Sequence, residues 1–235
     1  MRQEEAAHMR VLRICEGDEV EIIDGEGGRF LARITKLIGT QREIREAVAE
    51  IIEELPSNEA KVHITLYHGV PKAAKAELVV QKCTELGFFE YVPVQMTYCD
   101  VKMSESEKKL NRLGKIALEA VKQCGRSRLP LIQPVTHFKD ALESMEKHDA
   151  LLVPWEKGGV SFGAAVISAK KADKTEKPRN IGIVIGPEGG ISFEEIELMK
   201  SAGAVAVTLG SRILRTETAA ISAVAAAMCL LGQWA

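Results

Sequence analysis

The stretch NIGIVIGPEGGIS, residues 180–192, joins a run of β-branched apolar residues to a cluster of glycines. The apolar run at 181–185 predicts a buried strand, and Ser192 with Glu195 forms a Ser-x-x-Glu capping box that predicts the first turn of a helix. In parallel α/β proteins, a glycine-rich turn between a strand and a helix is a place where ligands bind to the main chain. The stretch therefore predicts an α/β fold with a ligand site at this turn.

The glycine loop itself is unsuited to a polyphosphate ligand. Pro187 has no N–H to donate, Glu188 would repel a phosphate, and the first lysine after the loop is Lys200. The GxGxxG pattern of dinucleotide-binding turns is absent as well. A neutral or cationic heterocycle that meets the backbone edge suits the loop better than a triphosphate. Taken by itself, a tight turn with no ligand is an equally good interpretation.

A second segment, AVAVTLGSRILRTETAA at residues 204–220, repeats the order of strand, glycine, irregular loop and helix. Its strand is predicted over Val205–Leu209. If both strands belong to one parallel sheet, their C-terminal loops lie at the same edge, where α/β proteins bind ligands. Arg212, Arg215 and Glu217 stand beside apolar residues, which is costly in a turn unless the charges are paired or meet a ligand. We therefore predict that two adjacent strand ends line one pocket.

The chain changes character between residues 56 and 62. Residues 11–38 alternate polar and apolar residues between Asp-Gly turn signals, which predicts strands. The next run, 42–55, fits a helical stripe and one face of a strand, and both interpretations stay open. From residue 62 onward, strands alternate with helices, which is typical of a parallel α/β sheet. We predict strands over 62–67, 91–94 and 150–153, and helices over 75–86, ended by Gly87, and over 105–124.

Composition argues against several classes of protein. The net charge of −2 over 235 residues gives no global attraction to nucleic acid, so a polyanion partner would need a local basic patch. Five single cysteines without a CxxC pair, and five scattered histidines, predict reduced thiols and no metal site. The segment MRQEEAAHMR lacks the apolar core of a secretory signal, and the apolar stretch 219–231 is too short to span a bilayer. We therefore predict a cytoplasmic protein.

Four motifs, taken in order, resemble those of the RsmE family of SPOUT-class RNA methyltransferases. They are GVPKAAKAELVVQKCTELG at 69–87, KIALEAVKQCGRSRLP at 115–130, IGPEGGIS at 185–192 and LGSRILRTETA at 209–219. The N-terminal run VLRICEGDEVEIIDGEG at 11–27 is similar to the PUA-like barrel of the same family. The resemblance covers nearly the whole chain, and the ordered set of motifs is far more specific than any one of them.

The resemblance implies an α/β fold in two domains. A PUA-like β-barrel RNA-binding domain is expected over residues 1–58, and its N-terminus is about one strand shorter than is usual, so we expect a barrel without its first strand. A SPOUT methyltransferase domain is expected over 59–235, with a parallel sheet and a deep trefoil knot around 150–231. SPOUT enzymes are dimers with the active site near the interface, so we expect a homodimer. The last helix of the chain, which is rich in small residues, would pack across the two-fold contact.

The resemblance also implies the reaction. Family members use S-adenosylmethionine to methylate N3 of a uridine in small-subunit (16S) ribosomal RNA, so the expected partner is ribosomal RNA or the small ribosomal subunit. The alternatives are the same chemistry on another RNA such as tRNA, a catalytically weak RNA-binding protein, and an α/β enzyme for an unrelated nucleotide. The donor joins a neutral adenine to a cationic sulfonium. The resemblance places it against Val153, Pro154, Gly186, Glu188, Gly189, Gly190, Leu209, Gly210, Ile213, Leu214, Thr218 and Ala219.

Two charged residues are the expected catalytic groups. Arg215 could stabilise negative charge on a uracil oxygen, and Glu217 could orient that arginine or accept the N3 proton. The alternative is an Arg–Glu pair with a structural role alone. Basic residues within or beside the family motifs are the expected contacts for RNA phosphates: Arg10, Arg13, Lys72, Lys75, Arg126 and Arg128.

The sequence departs from the family pattern at two places. Tyr98 and Cys99 stand where an Arg-Ser pair is common, and Leu113 stands where the long helix usually has a tryptophan. These departures bear on RNA contact more than on the fold. Trp155 could stack on a base, although a packing role is the simpler interpretation.

Overall fold

The computed structural model describes residues 9, 13–40, 43–100, 107–171 and 179–234. The chain divides into two compact units: the first comprises Met1–Glu59 and Arg126–Leu129, and the second comprises Ala60–Gly125 and Pro130–Ala235. The division after Glu59 falls in the interval where the sequence changes character. Residues 126–129 belong to the first unit although they are far from it in sequence, and the sequence does not indicate this association.

The first unit contains a three-stranded antiparallel sheet in the order β1 (Glu19–Ile23), β2 (Arg29–Thr40) and β3 (Glu43–Leu55). The run that fits both a helix and a strand is therefore strand β3, and the helical alternative is wrong. The deciding interaction is non-local, because β2 pairs with β3 along the length of both strands. The described residues of this unit form the three-stranded sheet. A closed barrel over residues 1–58 therefore stays a prediction.

The second unit is built on an eight-stranded sheet in which the strand pairings are parallel. The strands are β4 (Val62–Gly69), β5 (Glu90–Gln95), β6 (Leu131–Ile132), β7 (Thr136–His137), β8 (Ala150–Pro154), β9 (Val160–Ser161), β10 (Arg179–Ile185) and β11 (Val205–Thr208). Their order is β6-β5-β4-β10-β8-β11-β9, and β7 pairs with the C-terminal part of β5. The predicted parallel α/β sheet is confirmed.

Helices pack on both faces of this sheet. They are α1 (Ala73–Glu85), α2 (Glu107–Cys124), α3 (Phe138–Met145), α4 (Phe162–Lys171), α5 (Phe193–Ser201) and α6 (Thr216–Leu230). None of the helices in the described part of the chain is long and apolar enough to cross a membrane. One core contains residues of α1, α2, α4 and α6, and the other contains residues of α3 and α5. Strand β10 serves both cores, with Ile181 and Ile183 in the first and Val184 in the second, which explains its almost continuous apolar sequence.

Two predicted helix boundaries next to glycines are confirmed. The Ser192 hydroxyl accepts from the Glu195 N–H at 3.2 Å, and the Glu195 carboxylate accepts from the Ser192 N–H at 3.1 Å, which is the predicted capping box of α5. Helix α1 ends at Glu85, and Gly87 follows with a φ of 95°, the left-handed conformation of a C′ glycine. The capping box fixes where the glycine loop after β10 ends.

The strands that end in the two glycine loops are not adjacent. Strand β8 lies between β10 and β11 and pairs with both, so the prediction of adjacent strand ends is wrong. All three strands run parallel, and their C-terminal ends therefore still share one edge of the sheet. Strand β8 ends at Pro154, which puts its loop in the middle of that edge.

Candidate functional site

A pocket of about 490 Å³ lies at the C-terminal edge of the sheet in the second unit. Its volume is in the range of sites for small molecules. Three loops line it: Pro154–Glu156 after β8, Ile185–Ile191 at the end of β10, and Thr208–Arg215 at the end of β11. Helices α1 and α6 complete the wall with Lys75, Thr216 and Ala219. The two glycine loops therefore line one pocket, as the sequence predicts.

Most of the residues predicted to contact the donor line this pocket: Pro154, Gly186, Glu188, Gly189, Gly190, Leu209, Gly210, Ile213, Leu214 and Ala219. The other two, Val153 and Thr218, do not line it. Val153 is 1% exposed and packs in the core of α3 and α5, because it lies within strand β8 and not in the loop that follows. Thr218 is exposed outside the pocket wall, because Thr216 and Ala219, three residues apart, occupy the inward side of α6.

The loop after β10 is a compact turn. The Gly190 N–H donates to the Pro187 carbonyl at 3.0 Å, which closes a four-residue turn. Gly190 has a φ of 82°, a conformation that favours glycine. A Cβ at Gly186 would lie 2.7 Å from the Ile191 side chain, so packing also requires glycine there. The glycines therefore serve the geometry of the turn as well as the approach of any ligand.

Three charged side chains, Lys75, Glu188 and Glu217, form a group that we name the pocket cluster. The Lys75 ammonium lies 3.1 Å from Glu188 Oε1 and 3.3 Å from Glu217 Oε2. The side chains are between 14% and 27% exposed, so solvent screens their charges only in part. Two carboxylates and one ammonium leave a net negative charge. The cluster by itself therefore favours a cation, while Arg212 and Arg215 bring positive charge to another part of the pocket wall.

The surroundings keep Glu188 and Lys75 in their charged forms. Burial acts to raise the pKa of Glu188, but its own backbone N–H and the Lys75 ammonium outweigh burial and hold that pKa below its usual value. The hydrogen bond to Glu188 raises the pKa of Lys75 above its usual value, against a smaller effect of burial. Both groups are therefore charged at neutral pH.

Glu217 pairs with Lys75 and, within the described residues, not with Arg215, so the alternative of an Arg215–Glu217 pair is not the one formed. Glu217 lies in the first turn of α6, where the helix dipole favours a negative charge, and it does not itself line the pocket. Its buried Oε2 has no hydrogen bond of good geometry within the described chain, so Lys75 is an ionic neighbour. Arg215 is the exposed N-cap residue of α6 and does line the pocket.

Sequence reasoning missed a buried histidine behind the pocket. His68, the penultimate residue of β4, is fully buried, and its Nε2 lies 2.8 Å from Thr216 Oγ1. Thr216 also donates to the Gly186 carbonyl at 2.6 Å, and both of these residues line the pocket. Burial lowers the pKa of His68 to about 4. A signal was present, since a histidine inside an apolar strand has to find hydrogen-bond partners there.

An aromatic surface adjoins the pocket at Trp155. Its ring lies 6.4 Å from that of Phe193, and the ammonium groups of Lys157 and Lys200 lie 5.7 and 5.5 Å from it. Phe193 is 58% exposed, and Trp155 lines the pocket. Trp155 thus packs against neighbours and faces the pocket, so a packing role and a stacking role are compatible.

The departure at Tyr98 and Cys99 lies beside the glycine loop after β10. The main chain of Tyr98 packs so closely that a Cβ at Gly189 would lie 2.7 Å from the Tyr98 carbonyl oxygen. Thr97 donates through its N–H and its hydroxyl to the Glu195 carboxylate, at 2.8 and 3.0 Å. The capping residue of α5 therefore also anchors this segment, and the exposed Tyr98 side chain changes the surface next to the site.

The predicted phosphate contacts differ in their availability. Arg10 lies outside the described residues. Arg13 and Lys72 are exposed, and Arg128 is partly exposed. Lys75 is engaged in the pocket cluster, so its charge is already compensated. Arg13, Lys72 and Arg128 stay candidates for contact with RNA.

Arg126 is buried in the first unit, which argues against its predicted contact with RNA phosphates. It is 7% exposed, and its Nη2 lies 2.7 Å from Glu59 Oε2, in an ion pair that we name the Glu59 pair. The same carboxylate accepts from the backbone N–H groups of Ser127 and Arg128, each at 2.9 Å. Burial acts to raise the pKa of Glu59, but Arg126 and these N–H groups hold it below its usual value. The Glu59 pair therefore fixes segment 126–129 within its unit.

The cysteines and metal-ligating side chains stand apart from one another. The five cysteines are free thiols, and burial raises the pKa of Cys83 above its usual value, which makes it an inert packing residue. Within the ranges that the structure describes, no group of three or more His, Cys, Asp or Glu side chains could hold a metal ion.

Models of known families match both parts of the chain. The model described as an RNA methyltransferase domain matches residues 58–228, and the model described as an RNA methyltransferase PUA domain matches residues 2–42. The first match includes every residue of the pocket wall, and the second includes β1 and β2.

Individual proteins are similar over most of the chain. The ribosomal RNA small subunit methyltransferase E of Bacillus subtilis (strain 168) is 33% identical over 230 residues, which are 95% of this chain and 86% of that protein. The protein of the same name from Aquifex aeolicus (strain VF5) is 29% identical over 229 residues, 97% of this chain and 93% of that protein. The crystal structure of a ribosomal RNA small subunit methyltransferase E from Neisseria gonorrhoeae, bound to S-adenosyl methionine, has a TM-score of 0.82 and 30% identity. The structural match covers 100% of this chain and 92% of the Neisseria gonorrhoeae chain.

Proposed function

This chain belongs to the family of ribosomal RNA small subunit methyltransferase E, and from that membership we propose its donor site and its acceptor atom. It is an S-adenosylmethionine-dependent rRNA methyltransferase. We propose that the pocket between the loops after β8, β10 and β11 binds S-adenosylmethionine. We further propose that N3 of a uridine in 16S ribosomal RNA receives the methyl group.

The observation that carries the donor site is the charge of the pocket cluster. Its two carboxylates outnumber its one ammonium, and Glu188 stands in the glycine loop itself. When bound, S-adenosylmethionine supplies a methyl group on a positively charged sulfur. The Glu188 carboxylate on the wall attracts that cation, whereas a triphosphate would be repelled by Glu188 and would gain no N–H from Pro187. The neutral adenine suits the backbone edges of the loops at 186–190 and 209–214.

The side chains at the pocket have distinct proposed roles in methyl transfer. Arg215 is exposed at the wall, where it can stabilise negative charge on a uracil oxygen. The N3 proton becomes acidic as the bond between N3 and carbon forms, and Glu188, an ionised carboxylate on the wall, accepts it. Glu217 lies behind the wall and holds Lys75 against Glu188. Glu217 is therefore a positioning residue in this proposal.

The finer architecture is proposed from the same family membership. A deep trefoil knot is placed around residues 150–231, the range that contains the three pocket loops. A PUA-like barrel over 1–58 would contact RNA through residues such as Arg13, and the methyltransferase domain would occupy 59–235. The protein is proposed to act as a homodimer, with the alanine-rich α6 at the two-fold contact, on ribosomal RNA or the small subunit in the cytoplasm.

Calorimetric titration of the whole chain tests the donor site. S-adenosylmethionine and S-adenosylhomocysteine are expected to bind, and ATP is not. The variant E188Q should weaken S-adenosylmethionine more than S-adenosylhomocysteine, because only the former carries the sulfonium charge. E194Q, which changes an exposed carboxylate in the first turn of α5 outside the pocket wall, is the matched control. Tighter binding of ATP than of S-adenosylhomocysteine would contradict the site.

Nucleoside mass spectrometry tests the acceptor atom. Small ribosomal subunits and free 16S ribosomal RNA are incubated with the protein and labelled donor, and the expected product is 3-methyluridine in that RNA. A ribose-methylated product, or label confined to added tRNA, would overturn the assignment of N3 in 16S RNA. Binding of RNA with no methylation by a chain that binds the donor would favour a catalytically weak RNA-binding protein.

A further inference from the structure

Strand β4 carries two tyrosine–histidine contacts, one on each face of the sheet. Tyr67 Oη lies 2.9 Å from His148 Nε2, and Tyr67 belongs to the core of α3 and α5. His68 Nδ1 lies 3.1 Å from the hydroxyl of Tyr91, which belongs to the opposite core. Within the described chain, the buried Nδ1 of His148 has no hydrogen-bond partner, whereas Nε2 of His68 continues to Thr216. The second contact is thus part of a longer chain of hydrogen bonds.

The hydrogen bonds of His68 have a single self-consistent direction. The Gly186 carbonyl can only accept, so the Thr216 hydroxyl donates its hydrogen there, at 2.6 Å. Thr216 Oγ1 then accepts from His68, which places the ring hydrogen on Nε2. Nδ1 is left as an acceptor for the Tyr91 hydroxyl. Burial lowers the pKa of His68 to about 4, so the ring is neutral at pH 7 and its Nδ1 carries no hydrogen.

The last bond of this chain joins two walls of the pocket. Gly186 is the first residue after β10, and Thr216 is the first residue of α6, directly after the loop that follows β11. His68 is fully buried and does not line the pocket. The Thr216 hydroxyl therefore joins the two glycine loops directly, and the His68 imidazole orients that hydroxyl from behind the pocket.

We propose that His68 is a positioning residue for methyl transfer. Acting through Thr216, it holds the glycine loop after β10 and the start of α6 at the spacing that the donor requires. This inference rests on the proposed function, because it takes the pocket as the donor site. A displacement of about 1 Å in such a site can cost about a hundredfold in rate, so the separation of the two walls is a sensitive quantity.

The test compares donor affinity with thermal stability in the whole chain. H68L removes both ring nitrogens, T216V removes the hydroxyl, and H148L removes the histidine of the other contact. H68L and T216V are each expected to weaken S-adenosylhomocysteine about tenfold, and the double variant no further, because both changes break one chain of bonds. H68Q retains an N–H that can reach Thr216, so it should recover most of the affinity. H148L should lower the melting temperature and leave the affinity as in the wild type.

Several outcomes would overturn the proposal. If H68L melts earlier but binds S-adenosylhomocysteine as the wild type does, His68 only packs. Additive losses in the double variant would exclude a route through Thr216. Should H68L fail to fold, the pair H68N and H68Q decides: the shorter amide of H68N does not reach Thr216, so a loss in H68N that H68Q restores supports the proposal, and equal affinities overturn it. A wild-type chain that does not bind S-adenosylhomocysteine would instead overturn the donor site itself.

Discussion

The Glu59 pair and the pocket cluster contain the same kinds of residue and serve different ends. Arg126 and Lys75 both lie in motifs of the family, and both are predicted from sequence to contact RNA phosphates. Arg126 is 8% exposed at its side chain and meets one carboxylate, whereas Lys75 is 27% exposed and meets two. A buried one-to-one pair fixes a segment, while a lysine shared by two carboxylates leaves part of the Glu188 charge for a ligand at the pocket wall. The number of partners and the burial distinguish the two roles, and membership of a motif does not.

The largest expected effect breaks the Glu59 pair. R126M should lower the free energy of unfolding by about 3–5 kcal/mol, because it leaves the Glu59 carboxylate buried without its cation. Chemical denaturation followed by circular dichroism measures this loss. E197Q, which breaks the exposed Lys200–Glu197 pair, is the control and should cost less than about 1 kcal/mol. A loss in R126M no greater than in E197Q would show that the Glu59 pair is as weak as a surface pair.

The second prediction concerns the pocket cluster and activity. E188Q should lower the rate of methyl transfer at saturating donor by about a hundredfold or more, because the proposed proton acceptor on the wall is lost. Its melting temperature should stay near that of the wild type, in contrast to R126M. Single-turnover kinetics with labelled donor gives the rate. An E188Q enzyme with the wild-type rate would remove Glu188 from the proposed chemistry and would weaken the contrast between the two regions.

The contributions of the two regions to stability should differ in their dependence on pH. The pKa of His68, behind the pocket, is about 4 in the folded chain, and an unfolded histidine has a pKa of about 6.5. Between these values the unfolded state binds more protons, so stability falls as the pH is lowered, by up to about 1.4 kcal/mol per pH unit. H68Q should lack this contribution to the slope of the free energy of unfolding against pH. The pKa of Glu59 is held below its usual value, so the Glu59 pair loses its contribution only at lower pH.

Denaturation curves at several pH values between 4.5 and 7 measure the slope for each protein. The wild type should lose more stability over this range than H68Q does. Equal slopes in the two proteins would mean that His68 does not contribute through its protonation. R126M, if it folds, keeps the histidine and serves as the second control.

The smallest expected effect concerns the basic residues that are exposed. R13A and K72A should each weaken RNA binding and reduce its dependence on salt by about one phosphate contact. K139A, which removes an exposed lysine of α3, is the matched control. Filter binding of 16S ribosomal RNA at several salt concentrations gives the slopes. If K139A changes the slope as much as R13A or K72A, these residues add only to the general charge of the surface.

The glycine loop after β10 and its helix could be predicted because their signals are local. A β-branched run marks the strand, and Ser192 with Glu195 marks the helix start within four residues. The order of strands could not be derived in this way. Strand β8 separates β10 from β11, and its position depends on pairing between segments far apart in sequence.

The partners of charged residues were the least predictable part of the site. A pair of Glu217 with Arg215, its near neighbour in sequence, was one alternative, and Glu217 instead contacts Lys75 from α1. Arg126 looks like a surface residue in its motif, because Glu59, its partner, lies in a segment with no obvious relation to it. The apolar residues of the run at 42–55 fit the period of a helix and that of a strand equally well, and only the pairing with β2 makes the run a strand. In each case a tertiary contact decided what the local pattern left open.

The most direct test of the central claim is a crystal structure of this chain with S-adenosylhomocysteine. We expect the adenosyl group to lie between the segments 154–156, 186–191 and 208–216, with Glu188 on the same wall. A ligand bound at any other edge of the sheet, or contacting none of these three segments, would contradict it.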